Sequence, residues 1–205
     1  MTTDTTHPKT NHHAPTSKEK NLEIEIKLHV QEKDIPNLRQ KILDLGFTLW
    51  DKDSFENNIV FDTKNQELKN KHMLLRLRQK NSLNIITLKR PVEATLDSLQ
   101  FKIREEIEMA VSDFDTAQTI ITALGYEIFF IYEKYREVFA KDTGNGIIKI
   151  MVDRTPMGYF LEIEGTCQHI NEVAGQLGFT TADYITANYL TLFREHHPTG
   201  FMLFS

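Results

Sequence analysis

Charged and aliphatic residues alternate along almost every predicted strand of this chain, and that alternation constrains the fold most. In NLEIEIKLHV, residues 21–30, Glu23, Glu25 and Lys27 share one face, because successive strand side chains point to opposite sides. One such strand is typical of a half-exposed sheet with its charges in solvent. The repetition of the pattern, with both signs of charge, argues against that interpretation for the whole sheet.

Both signs of charge recur at a spacing of two residues in the later predicted strands. The aligned charged residues are Arg76, Arg78, Lys89, Lys102, Arg104, Glu106, Glu108, Lys134, Arg136, Lys149, Asp153, Glu162 and Glu164. Predicted helices with apolar stripes must pack on something, and the aliphatic strand faces are available to them. If the helices cover those faces from outside, the charged faces line a closed or nearly closed barrel.

The predicted elements fit such a barrel. Period-two patterns predict strands at 22–30, 56–62, 72–80, 83–90, 100–111, 127–140, 147–153 and 158–165. Apolar stripes ending in glycine predict helices at 34–46 and 112–125. Residues 169–197 have the pattern of two helices broken near Gly178, the second starting at 181–183. We therefore predict an α+β fold, in which an eight-stranded antiparallel β-barrel has a polar interior and helices packed outside.

Length and composition indicate a single globular domain. Of the 205 residues, 40% are hydrophobic and 26% are charged, which is enough to bury a sizeable core. We predict a disordered tail at 1–20, which is polar and Thr-rich, a folded domain at 21–197 and a C-terminal tail at 198–205. Cys167 is the single cysteine, so no internal disulfide can form.

The charge balance and the N-terminus bear on partners and compartment. A net charge of −5 lacks the basic surplus that duplex nucleic acid or an anionic membrane attracts. No apolar run approaches the ~20 residues that span a bilayer, and the N-terminus lacks the basic-then-apolar order of a secretion signal. We therefore expect a cytoplasmic protein whose partner is a small molecule. The sequence is compatible with a homodimer but does not predict one.

A barrel lined with charge needs water or a ligand inside it, because removing an isolated charge from water is costly even after relaxation. A polyanion together with a divalent metal complements such a lining. Arg and Lys pair with phosphate oxygens, and clustered carboxylates are hard ligands for Mg²⁺ or Mn²⁺. A linear triphosphate bridged by a divalent metal would engage both kinds of side chain, the cations through its phosphate oxygens and the carboxylates through the metal. A lipocalin-like carrier would instead have an apolar inner face.

Taken in order, the charged motifs resemble the CYTH superfamily, the triphosphate tunnel metalloenzymes. Glu23-Ile-Glu25-Ile-Lys27 matches its ExExK signature, and LLRLR, TLKRP, a Lys-x-Arg pair and YFLEIEG follow in the family's order. ExExK alone occurs by chance, whereas the ordered series is specific. The resemblance implies a tunnel of eight antiparallel strands that binds triphosphate compounds with Mg²⁺ or Mn²⁺. Members of that family include inorganic, thiamine and RNA triphosphatases and class IV adenylyl cyclases.

The resemblance also implies roles for individual residues. The phosphate-binding candidates are Lys27, Arg76, Arg78, Lys89, Arg104, Lys134 and Arg136. The candidates for holding metal or the attacking water are Glu23, Glu25, Glu106, Glu108, Asp153, Glu162 and Glu164. The residues expected to act directly in catalysis are Lys27, Lys89, Glu106, Lys134 and Arg136.

Two chemistries and one binding function fit these motifs. Hydrolysis of a triphosphate compound, with inorganic tripolyphosphate first, needs the phosphate cradle, metal and a water. A class IV adenylyl cyclase, which converts ATP to cyclic AMP and pyrophosphate, also needs an adenine site and a base, and the sequence identifies neither. We expect Trp50 to pack in the core or against a helix rather than to stack on an organic group. A non-catalytic polyphosphate or nucleotide sensor is the third interpretation.

Overall fold

Eight antiparallel strands form a closed barrel in the computed structural model, which describes residues 22–93, 96–144 and 146–205. The strands are β1 Leu22–Val30, β2 Thr48–Asp62, β3 Leu74–Lys80, β4 Leu83–Pro91, β5 Lys102–Val111, β6 Glu127–Asp142, β7 Ile147–Thr155 and β8 Gly158–Glu164. Their order around the barrel is β1-β5-β4-β3-β2-β6-β7-β8. The predicted fold class is confirmed, and the tail predicted at 1–20 lies outside the described residues.

The second strand begins at Thr48, well before its predicted start at residue 56. Its pairing with β6 shifts register between Leu49 and Asp51 and again between Asp51 and Ser54. Such bulges set two residues against one and interrupt the alternation of side chains. The first half of β2 therefore has no period-two pattern, and the predicted boundary is wrong for that reason.

Five α-helices in the described residues pack against the barrel. They are α1 Ile35–Asp44, α2 Glu67–Asn70, α3 Phe114–Ala123, α4 Cys167–Leu177 and α5 Tyr189–His196. Because α2 has only four residues, hydrophobic periodicity does not predict it. Among the described helices, none combines the length and the apolar character needed to cross a membrane.

The last helix does not start where the sequence predicts. The expected start at 181–183 is wrong, because those residues form a 3-10 turn instead. Thr180 and Asp183 close that turn with reciprocal hydrogen bonds of the capping-box type. The chain then runs on in an extended form until the Asn188 side chain caps α5, which begins at Tyr189.

The aliphatic faces of the strands lie beneath the helices. The largest cluster joins Ile26 and Leu28 of β1 and Ile150 of β7 to Leu38 of α1 and Ile170 of α4, all of them buried. Full burial of one such side chain stabilises the fold by roughly 1.5–3 kcal/mol. The opposite, charged faces consequently point into the barrel, as the alternation predicts.

The start of α5 packs at one end of the barrel. Tyr189 is 6% exposed, and its ring centroid lies 6.1 Å from that of Tyr132 in β6 and 5.4 Å from that of Phe160 in β8. Beyond the helix, Met202 is fully buried and forms a backbone bridge with Tyr132. Part of the segment predicted as a C-terminal tail, 198–205, therefore packs against the barrel wall.

Candidate active site

The charged faces enclose a cavity of about 310 Å³ inside the barrel. Strand register builds its lining, since Lys27 of β1 pairs with Glu162 of β8 and Glu25 pairs with Glu164. Residues paired in this way share a face, with Cβ atoms about 4.5–5.5 Å apart. The predicted site residues that line the cavity are Glu23, Glu25, Lys27, Arg76, Arg78, Lys89, Arg104, Glu106, Glu108, Lys134, Arg136, Glu162 and Glu164.

Asp153 differs from the other predicted site residues, because it lies behind the cavity wall. It is fully buried and accepts hydrogen bonds from Arg136 Nε and Nη2, at 2.6 Å each, and from Lys134 Nζ at 3.0 Å. The hydroxyl of Tyr189 donates to the same carboxylate at 2.6 Å. These contacts show that Asp153 holds two cations in place, while its role as a metal ligand stays a prediction.

Glu162 links Arg136, one of the two cations that Asp153 holds, to Lys27 of β1. One oxygen lies 2.7 Å from Lys27 Nζ, and the other accepts a hydrogen bond from Arg136. Burial opposes ionisation, but Arg136 and Lys27 hold the pKa of Glu162 well below its usual range. In return, Glu162 and Glu25 raise the pKa of Lys27 against the effect of its own burial. Both groups are therefore charged at neutral pH.

Two lysines form ion pairs with the carboxylates of β1. Lys89 Nζ lies 2.5 Å from Glu23 and 3.0 Å from Glu106. Lys102 Nζ lies 2.5 Å from Glu25, and burial outweighs this attraction and lowers the pKa of Lys102 to about 8. Alternation in β5 places Lys102 on the charged face, but the family motifs assign it no role.

Two arginines carry buried N–H donors that lack an acceptor. Among the described residues, the Nε groups of Arg76 and Arg104 make no hydrogen bond. The rest of the Arg76 guanidinium is held by Thr87 Oγ1 at 3.0 Å and the Tyr132 hydroxyl at 3.4 Å. An unpaired buried polar group costs about 1–3 kcal/mol, so both Nε groups are stabilised only if an acceptor comes within reach. Phosphate oxygens match guanidinium geometry.

Glu56 of β2 is a site residue that the motifs do not identify. It is 1% exposed, lines the cavity and lies 3.4 Å from Arg78 Nε and 3.6 Å from Lys134 Nζ. Within the described part of the chain, neither of its oxygens makes a hydrogen bond. Burial opposes ionisation, but Arg78 and Lys134 hold the pKa of Glu56 below its usual range. A buried negative charge therefore sits among the cations expected to bind phosphate.

Tyr132 places a phenol in the same cluster of cations, a second contribution that the motifs miss. Burial opposes its ionisation, yet the charges of Arg76, Arg78 and Lys134 lower the pKa of Tyr132 to about 8. Tyr189 behaves in the opposite way, because burial and the neighbouring carboxylates raise its pKa well above the usual value. The Tyr189 hydroxyl therefore stays protonated as a donor.

The carboxylates of β1 and β8 form one acidic cluster. Burial, together with the charges of Glu23 and Glu25, outweighs Lys149 and raises the pKa of Glu164. Such clustered oxygens suit a hard divalent cation. In the described residues, however, no three acidic side chains converge closely enough to make a ready metal site. A cation must displace the lysines that now occupy these oxygens.

The cavity opens at the end opposite α5. There the side chains of Lys149 and Glu164 are 36% and 29% exposed, whereas that of Lys134 is 2% exposed. Trp50 lines the cavity at this mouth and is 57% exposed. The predicted packing of Trp50 in the core or against a helix is wrong, because the bulge in β2 turns the indole toward the mouth.

Comparison with known sequences decides the family. The sequence profile of the CYTH domain matches residues 21–177, which include every predicted site residue. The chain belongs to the CYTH domain family. CYTH tunnel enzymes generally depend on a divalent metal, in agreement with the acidic cluster.

Several known proteins resemble this CYTH domain. A Methanocaldococcus jannaschii protein with the provisional name adenylate cyclase is 28% identical over 151 residues, which are 74% of this chain and 81% of that protein. A Vibrio parahaemolyticus structure with the same provisional name has a TM-score of 0.70 at 20% identity, covering 85% of this chain and 99% of that one. A Hippeastrum protein, provisionally named an adenylyl cyclase and reported to have a dominant triphosphatase activity, has a TM-score of 0.56 at 17% identity, with coverages of 85% and 95%. The two structural likenesses show the CYTH fold.

Proposed function

We propose that this CYTH domain hydrolyses the terminal phosphoanhydride of a triphosphate compound with Mg²⁺ or Mn²⁺, and that inorganic tripolyphosphate is its simplest substrate. The observation that carries the proposal is the set of predicted phosphate-binding cations from five strands, among them Lys27, Arg76 and Lys134, that line one cavity together with carboxylates. The cavity volume of about 310 Å³ lies at the low end of the range of roughly 300–1,000 Å³ for small-molecule sites. That size favours a compact polyanion.

The buried cations Lys134, Arg136 and Lys27 can bind the phosphoryl group and the leaving group. Phosphoryl transfer depends mainly on positioning and on electrostatic stabilisation of the phosphate oxygens. Lys134 and Arg136 are fixed by Asp153 before a ligand enters, and Lys27 is fixed by Glu162. These charges neutralise the oxygens as the P–O bond breaks. They need no reorganisation at that moment, and no covalent protein intermediate is required.

The acidic residues suit the metal and the attacking water. A bound divalent cation neutralises phosphate charge and lowers the pKa of a coordinated water. The residues that would hold it are Glu23, Glu25, Glu162 and Glu164. Glu106 and Glu108 of β5 line the same cavity. We propose that they orient the water that attacks the terminal phosphorus.

A class IV adenylyl cyclase is the second candidate, because the Methanocaldococcus and Vibrio relatives carry that provisional name. The same cradle would hold the triphosphate of ATP. The ribose 3′-hydroxyl would attack the α-phosphorus, and pyrophosphate would leave. A sensor that binds without turnover is the third.

Two assays run side by side test the proposal. We expect metal-dependent release of phosphate from tripolyphosphate and no cyclic AMP from ATP. Lys89→Ala and Glu23→Gln, which break one buried ion pair, should each lower kcat/KM by about 10² without loss of the folded state by circular dichroism. Lys71→Ala, at an exposed lysine, is the matched control. Cyclic AMP formation alone would favour the cyclase, and binding without turnover would favour the sensor.

A further inference from the structure

The segment 201–205, which follows α5, completes the barrel wall beside β6. Among the described residues, β7 pairs with β6 only from Tyr135 onward, so the earlier part of β6 has no strand of β7 on that edge. Met202 takes this place. Its backbone N–H donates to the Ile131 carbonyl at 3.0 Å, and its carbonyl accepts from the Glu133 N–H at 2.9 Å. We call residues 201–205 the C-terminal segment.

One side chain of the C-terminal segment enters the core. Met202 is fully buried, although its neighbours Phe201 and Leu203 are 45% and 43% exposed. The Met202 side chain belongs to the same buried cluster as Tyr132 of β6 and Tyr189 of α5. Methionine fills irregular gaps and makes favourable contacts with aromatic rings. Met202 therefore packs with tyrosines that also line the cavity.

Further contacts anchor the C-terminal segment to the outside of the barrel. The backbone N–H of Phe204 donates to a carboxylate oxygen of Glu133 at 3.0 Å. The Arg154 guanidinium lies 4.1 Å from the ring centroid of Tyr135 and 5.2 Å from that of Phe204, in two cation–π contacts. The segment is therefore held at several points, and the position of Met202 is well defined.

Tyr132 connects Met202 to the cavity. Its backbone lies between the two β6 residues that bond Met202, and its hydroxyl accepts a hydrogen bond from Arg76 Nη1 at 3.4 Å. Both Tyr132 and Arg76 are buried. A buried group that loses its partner is not easily compensated by bulk water. The position of the Tyr132 ring therefore helps to set the direction of the Arg76 guanidinium.

We propose that Met202 is a positioning residue for the phosphate site, which acts through the Tyr132 ring on the Arg76 guanidinium. This inference rests on the proposed function in that Arg76 binds phosphate, but it does not require hydrolysis. Truncation of Met202 leaves a void beside Tyr132 and lets the ring shift. Arg76 then loses one of the partners that fix it. Guanidinium recognition of phosphate depends on geometry, so the affinity for the ligand falls.

Calorimetry with imidotriphosphate and Mg²⁺ tests the proposal, at a pH of about 7, which is below the pKa of Tyr132 of about 8. Met202→Ala should weaken binding about three- to tenfold, the effect of one misplaced hydrogen-bond partner. Met202→Leu conserves volume and should bind within about twofold of wild type. Leu203→Ala, at the exposed neighbour, is the matched control and should bind like wild type. Wild-type affinity in Met202→Ala would overturn the proposal.

A truncation in another cluster separates positioning from a general loss of stability. Ile121 of α3 is buried in a cluster that does not contain Met202. Ile121→Ala should lower the urea midpoint as Met202→Ala does, yet leave the affinity for imidotriphosphate unchanged. An equal loss of affinity in the two variants would contradict the proposal. If Met202→Ala does not fold, Met202→Val is the milder truncation and should weaken binding in the same direction.

A double-mutant cycle tests the route through Tyr132. Tyr132→Phe removes the hydroxyl that Arg76 bonds, so in that background Met202→Ala should change the affinity by less than about twofold. If Met202→Ala still weakened binding of Tyr132→Phe by the full three- to tenfold, the effect would not pass through the Tyr132 hydroxyl, and the proposal would be wrong.

The two proposals fail in distinguishable ways. Binding of imidotriphosphate that depends on Met202, without hydrolysis of tripolyphosphate, would contradict the proposed hydrolysis and support the positioning role. Hydrolysis of tripolyphosphate together with an affinity that does not respond to Met202→Ala would support the hydrolysis and contradict the positioning role. A wild-type protein that does not bind imidotriphosphate would contradict both.

Discussion

Arg136 and Asp153 form a bidentate ion pair in the closed half of the barrel, where Nε and Nη2 each donate to a separate carboxylate oxygen at 2.6 Å. Lys134 donates to the same carboxylate at 3.0 Å. Because Asp153 is fully buried, it fixes two of the proposed phosphate-binding cations before any ligand arrives. The pair therefore couples the stability of the barrel to the geometry of its site.

Loss of this carboxylate should be costly for folding. Asp153→Ala leaves two buried cations without their partner and should lower the free energy of unfolding by about 3–5 kcal/mol. Asp153→Asn keeps the shape and one acceptor and should cost less. Urea denaturation measures both, with exposed Glu195→Ala as a control expected within about 0.5 kcal/mol of wild type. A wild-type midpoint for Asp153→Ala would show that the pair is not needed for stability.

Glu56 should oppose phosphate binding when metal is absent. Its charge lies 3.4 Å from Arg78 and 3.6 Å from Lys134, the positions from which these cations would attract phosphate. Glu56→Gln should therefore tighten the binding of imidotriphosphate in EDTA about tenfold or more, the equivalent of about 1.4 kcal/mol. Calorimetry tests this, with Glu127→Gln at an exposed site as the control. Unchanged or weaker binding by Glu56→Gln would rule out repulsion as its main effect.

Tyr132 should make substrate binding depend on pH. Its pKa of about 8 lies below the ordinary tyrosine value of about 10. The resulting stabilisation of the fold is complete above pH 10 and is lost as the pH falls through about 8. Because the phenolate repels phosphate, KM for tripolyphosphate should rise above pH 8 in the wild type and rise less in Tyr132→Phe. Near-ultraviolet absorbance should show the tyrosinate, and identical KM profiles for the two proteins would contradict the prediction.

Lys102 should compete with metal for Glu25. Lys102→Met removes the ammonium that lies 2.5 Å from that carboxylate and should raise the affinity of the ligand-free protein for Mn²⁺. Electron paramagnetic resonance of free Mn²⁺ measures the affinity, and Lys33→Met, at an exposed lysine, is the control. Imidotriphosphate should narrow the difference between wild type and Lys102→Met, since phosphate would draw the lysine away. Equal Mn²⁺ affinities without phosphate would contradict this competition.

The charged lining could be predicted from the sequence because the face of a residue in a regular strand is a local property. Once the face of Lys27 is fixed, pairing in register carries Glu162 to the same side of the barrel. The same reasoning correctly places Arg136 and Lys89 in the cavity. Covering helices follow from apolar stripes, since each stripe needs an apolar partner surface.

Other features depend on contacts that no local pattern contains. The position of Trp50 at the mouth of the cavity could not be predicted, because the register shifts in β2 interrupt the alternation on which the prediction depends. Glu56 begins the predicted strand, but only the distances to Arg78 and Lys134 reveal its electrostatic role. The apolar stripe of α5 does not specify that Tyr189 enters the end of the barrel, because a stripe defines a face and not its partner.

Tyr189 is buried at one end of the barrel, and the more exposed Lys149 and Trp50 lie at the other. Under the proposed hydrolysis, a long chain of phosphates would enter from the exposed end and meet Lys134 and Arg136 with its terminus first. The released phosphate would leave through the same mouth by which the next substrate enters. The rate of product release would then limit the rate at which the next substrate binds.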